Sequence, residues 1–77
     1  MSFIEDLADD LARDTLAACD ELGDDRFYEQ VSKSVGVLSP TLQEAFMTSI
    51  RMRLAERRGR RALEEALSAF RAGKRPE

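Results

Sequence analysis

Histidine is absent from this chain, and with it go the commonest general base and the commonest metal-binding side chain. Serine does not fill the gap. Ser32, Ser34, Ser39, Ser49 and Ser68 lie in no context that would activate a nucleophile. Cysteine occurs once, at Cys19, which excludes an internal disulfide and removes any need for an oxidising compartment. Its neighbours Asp20 and Glu21 disfavour a thiolate, so Cys19 reads as a small buried hydrophobe. The acidic doublets Asp9-Asp10 and Asp24-Asp25 lack calcium-loop spacing, and helix capping and solvation account for them. An enzyme is therefore not expected, nor a cofactor or metal.

Long apolar runs are missing too. No stretch approaches the roughly 20 residues of a membrane span. The opening Met1-Ser2-Phe3-Ile4-Glu5-Asp6 has neither the basic nor the apolar region of a secretion signal, so cytoplasm is the expected compartment, without membrane association. There is no internal repeat and no low-complexity segment.

What remains is helical. Seventy-seven residues make one domain, expected over 1–72 with a flexible tail at 73–77. At this size only about 60% of the unfolded surface is buried, so self-association is a natural supplement to a marginal core. A hydrophobic content of 43% and a charged content of 35% suit a helical globular domain rather than a disordered chain.

Ser2 and Glu5 form a capping-box pattern. Beyond it Ile4, Leu7, Ala8, Leu11, Thr15, Ala18, Cys19 and Leu22 recur at helical steps up to a stop at Gly23, which predicts a helix at 2–22. Its opposite face is almost wholly acidic. Asp24 or Asp25 is expected to cap a second helix at 25–35, carrying Phe27, Tyr28, Val31 and Val35 and ending at Gly36. Tyr28 reads as cover for the core edge, with an interface anchor as the rarer role.

Ser39 and Pro40 then open a third helix through Leu42, Ala45, Phe46, Ser49, Ile50 and Leu54. Gly59 divides the readings. Arg60 and Arg61 would continue the stripe of Leu42, Ile50 and Leu54, whereas Leu63, Ala66, Leu67 and Phe70 face elsewhere. A break at Gly59, giving helices at 40–58 and 60–72, is slightly preferred over one long helix. The long helix would carry a second seam of Met52, Glu56, Gly59, Leu63, Ala66 and Phe70, with heptad spacing that suits a second copy. Met47 and Met52 read as core or dimer filler. The fold class is thus all-α, a small bundle of three to four helices.

Charge points outward. Residues 1–38 hold ten acidic and three basic side chains, a net −7, while 39–77 hold nine basic and five acidic, a net +4. Arg51, Arg53, Arg57, Arg58, Arg60 and Arg61 fall within eleven residues, and arginine forks match carboxylate or phosphate. They read as a solvated face neutralised by the first helix, or as contacts to an acidic protein partner. The alternative is a nucleic-acid-binding transcriptional regulator that uses 51–61 on phosphates. A net charge of −3 and the lack of interleaved aromatics weigh against it. A further alternative is a small acidic inhibitor, with Asp6, Asp9 and Asp10 occupying the basic groove of a nucleic-acid-binding protein.

Leu38-Ser39, Phe46 and Arg53-Leu54-Ala55-Glu56, after a short helix containing Phe27 and Val31, resemble the Hha/YmoA family of small helical gene-expression modulators over about residues 25–56. The resemblance implies action by binding a nucleoid-associated protein. Two departures count against it: the family's aspartate falls at Arg51, and the first helix here is much longer. The expected function is a non-enzymatic regulatory or adaptor protein working through protein contacts. It is expected to self-associate, as a dimer, through Met52, Leu63, Ala66 and Phe70.

Overall fold

The computed structural model describes residues 2–73; the expected tail, Gly73 apart, lies outside them. Three helices pack together and the described residues contain no strand: α1 (Phe3–Leu22), α2 (Tyr28–Leu38) and α3 (Pro40–Arg71). None is long and apolar enough to cross a membrane.

The start of α1 is set by Ser2, whose hydroxyl accepts the Glu5 amide at 3.1 Å. Gly23 ends it in the left-handed region at φ 69°, and the amides of Gly23 and Asp24 reach back to the Asp20 and Cys19 carbonyls. That is the Schellman closure.

The start of α2 differs from the expected one. The Asp24 carboxylate accepts the Arg26 amide at 3.0 Å, and the Phe27 amide bonds the Asp24 carbonyl at 3.3 Å. Asp24 therefore shapes a turn instead of capping, and α2 begins three residues later than 25 with no side-chain cap. Gly36 does not end it either. The helix runs on to Leu38 and stops where Ser39 becomes extended (φ −147°, ψ 94°), the backbone region that a residue before proline prefers. Gly36 has a different use. A Cβ there would lie 2.5 Å from Gln43 Oε1, so the glycine lets α2 and α3 approach closely. Gln43 Nε2 uses that proximity to donate to the Ser32 carbonyl at 2.9 Å and the Ser32 hydroxyl at 3.2 Å.

Ser39 Oγ accepts the Leu42 amide at 3.0 Å and Pro40 follows at the first helical position, as anticipated. The preferred break at Gly59 is absent: α3 is one helix of 32 residues, about 48 Å long at 1.5 Å per residue. Two facts explain this. Mid-helix glycine costs only about 1 kcal/mol relative to alanine. Glu56 and Arg60, at 2.7 Å, also form an i,i+4 pair that straddles the glycine.

The core is small. Ala8, Ala12, Leu16 and Cys19 of α1 close on Phe46 and Ile50 of α3, with Leu11, Phe27, Tyr28, Val31, Leu42 and Leu54 around them. Alanines at 8 and 12 let the helix backbones come near, and Phe46, fully buried, fills the space between. Thr15 and Ser32 are buried as well, and among the described residues no buried side-chain polar atom lacks a partner. The buried face of α1 is rotated from the anticipated one. Ala12 and Leu16 sit at its centre, while Ile4 (41% exposed), Leu7 (43%) and Leu22 (60%) lie at its rim.

Ser49 and Arg53 contact Asp9, and Arg57 contacts Asp20, so α1 and α3 run in the same direction. The α2 helix descends between them in sequence, giving an up-down-up bundle. Because α1 ends near the level of Arg57, α3 projects beyond the bundle, and every residue at 55–73 is exposed.

Candidate interaction surfaces

Six arginines that are neighbours in sequence are not neighbours on one surface. At about 100° per residue, Arg53, Arg57, Arg60 and Arg61 lie on the line that faces the bundle lower down, while Arg51 and Arg58 point roughly 100° away. Arg53 donates to Asp9 from Nε (3.0 Å) and Nη2 (2.8 Å). Arg57 reaches Asp20, Nη2 to Oδ2 at 3.1 Å. Arg60 pairs within its own helix with Glu56. Among the described residues Arg51, Arg58 and Arg61 make no ion pair. Two of the six thus clamp α3 to α1, one pairs within α3, and three are open charge.

Asp9 is the centre of the clamp. Its Oδ1 accepts the Ser49 hydroxyl at 2.8 Å as well as the Arg53 fork. The Ser49 hydrogen bond, with Arg53 beside it, holds the Asp9 carboxyl below its usual value of 3.8. Asp10 is occupied by Arg13 at 3.2 Å. Of the three carboxylates considered for a basic partner, then, Asp9 and Asp10 already have cations beside them. The acidic face of α1, expected to neutralise the arginines, meets them at Asp9 and Asp20, whereas Ser49 and Glu56 are partners the sequence reading does not name. The signal was present: Asp9 and Asp20 are eleven residues apart, three helical turns, and so share one edge of α1, as Arg53 and Arg57 share one edge of α3.

A groove of about 1010 Å³ lies over this clamp. Its walls are Ala8, Asp9, Arg13, Leu16, Ala17 and Asp20 of α1 and Ala45, Thr48, Ser49, Met52, Arg53 and Glu56 of α3. Among the described residues no group of three His, Cys, Asp or Glu side chains is gathered as a metal ion would require.

The second surface is the overhang. Leu63 (55% exposed) and Leu67 (39%) stand in water with Ala66 between them, and Met52 (67% exposed) and Phe70 (69%) extend the seam below and above. This stripe lies roughly 130° around the helix from the Leu42–Phe46–Ile50–Leu54 line. The line that faces the bundle continues upward only as Arg57, Arg60, Arg61, Glu64, Ser68 and Arg71. Folding the overhang back onto its own bundle would therefore bury charge and leave the apolar stripe outside.

Comparison with known proteins finds no match among family models, curated proteins or solved structures.

Proposed function

We propose that the chain is a non-enzymatic, cytoplasmic regulatory or adaptor protein that acts by protein–protein contact, with the overhang of α3 as its docking element. The observation that carries this reading is the overhang itself, a helix end with every residue exposed and an apolar stripe at Leu63 and Leu67. Most helical stability in proteins comes from packing an amphipathic face, and among the described residues of one copy Leu63 and Leu67 of this face stay exposed. Protein is favoured over nucleic acid because Arg53, Arg57 and Arg60 already face carboxylates, which leaves a dispersed trio in place of a basic strip. An acidic inhibitor is disfavoured for the matching reason at Asp9 and Asp10.

The test uses the full chain as bait beside the double variant Leu63→Asp/Leu67→Asp, with captured proteins identified by mass spectrometry and helix content followed by circular dichroism. A partner held by the wild type and lost by the equally helical variant is the expected result. The reading fails if the variant keeps every partner. It fails equally if the chain binds DNA or RNA with a steep salt dependence that alanine at Arg51, Arg58 and Arg61 abolishes.

A further inference from the structure

We infer that the occupant of the α3 overhang is the same overhang of a second copy, lying antiparallel, with each helix end entering the other copy's α1–α3 groove. This deepens the adaptor reading and rests on it for the exposed stripe. Three observations carry it.

The first is continuity. Ala45, Ser49, Met52, Glu56, Gly59, Leu63, Ala66 and Phe70 follow one another at alternating steps of four and three, the spacing of a two-helix seam. Its lower members, Ala45 to Glu56, are the α3 wall of the groove, and its upper members are the overhang. Groove and stripe are therefore one surface, about 38 Å long at 1.5 Å per residue. A straight apolar helix is the shape that fits it. Ala55, Ala62 and Ala69, seven residues apart, line one edge of this seam and permit close approach of a second helix.

The second is a flat position beside a knob. A Cβ built on Gly59 would meet open space, and Leu63, one turn on, is an exposed knob. Setting Leu63 of one copy against Gly59 of the other satisfies both copies at once, because a twofold axis near Arg61 makes the contact reciprocal. The same register brings Met52 opposite the upper end of the partner's stripe and overlaps the helices across residues 52–70, about 27 Å.

Charge is the third. Residues 51–61 hold six arginines and one glutamate, and 62–70 hold Glu64 and Glu65 with no basic residue. A parallel pair would stack arginine on arginine well inside the screening length of about 8–10 Å. The antiparallel register instead lays Arg53, Arg57 and Arg58 along the height of the partner's 64–69, the segment that holds Glu64 and Glu65, and brings only Arg60 and Arg61 near their own counterparts at the axis. Arg58 has no ion pair of its own among the described residues.

The experiment is sedimentation equilibrium combined with disulfide mapping, on the full chain carrying Cys19→Ala so that only introduced thiols report. A dimer at micromolar concentration is expected. Ala62→Cys, near the twofold axis, should link to itself. Ala55→Cys should link to Ala69→Cys in a mixture and not to itself. Leu63→Asp should weaken dimerisation at least about tenfold, the effect of roughly 1.4 kcal/mol, without loss of helix content. A chain monomeric up to hundreds of micromolar overturns the inference. So does Ala55→Cys linking to itself as readily as Ala62→Cys, which would mean a parallel pair. A monomer that still captures a protein partner through Leu63 and Leu67 defeats the dimer and leaves the adaptor reading standing.

Discussion

The lower part of α3, up to Leu54, and the upper part, 55–71, are one helix with opposite relations to water. Below, Phe46 and Ile50 are fully buried against α1 and the caps at Ser2 and Ser39 fix where the helices begin. Above, helical geometry persists with no residue buried. The difference shows that helix continuity and helix packing are separate matters. Once the base has met the cost of nucleation, each further residue adds a hydrogen bond whether or not its side chain finds a neighbour. What the base lends the overhang is direction, because a helix anchored over several turns aims its free end.

The sharpest break in the comparison is Phe46→Ala. It should cost about 3–5 kcal/mol in urea or thermal unfolding, since a fully enclosed ring is lost from a core with few large side chains. If Phe46→Ala proves nearly neutral, the base is not the anchor described. The two interior glycines of α2 and α3 come next. Gly59→Ala should stabilise the dilute chain by about 1 kcal/mol, as the Cβ meets open space in a helix. Gly36→Ala gains the same propensity but pushes Gln43 off Ser32, and should fall short of Gly59→Ala by about 1–2 kcal/mol. Equal effects at the two positions would mean that the α2–α3 approach is not close.

Removing the α3 cap with Ser39→Ala should cost about 0.5–2 kcal/mol, seen in the same unfolding curves. The smallest effect concerns the clamp. With Asp9 held below its usual carboxylate value in the folded chain, its contribution is full above the unfolded value and declines as pH falls through the folded one. Asp9→Asn should flatten the acid limb of a stability-against-pH curve and leave neutral pH little changed, because the pair is open to solvent. An unchanged acid limb would remove Asp9 from the clamp.

Much of the fold was legible beforehand. Ser2, Gly23, Ser39 and Pro40 act through local backbone chemistry, so their roles follow from a few adjacent residues. The misreadings share a cause. Asp24 was as good a cap as any in isolation, and only the turn from Gly23 to Phe27 drew its carboxylate to the Arg26 amide. Gly36 reads as a stop unless Gln43 is known to lie against it. The heptad seam was visible in α3, but its join with a groove needed α1 in place. The opposite charge of the two halves was also visible, whereas which carboxylate meets which arginine depended on a crossing of helices that no single segment encodes.

Residue order by itself determined that this chain is helical and where two of its helices begin, because those properties depend on neighbours within a turn. Tertiary structure decided which arginines are held and which face outward. It also decided that α3 outruns its bundle, since that depends on where α1 ends alongside it, a matter of packing between segments more than thirty residues apart.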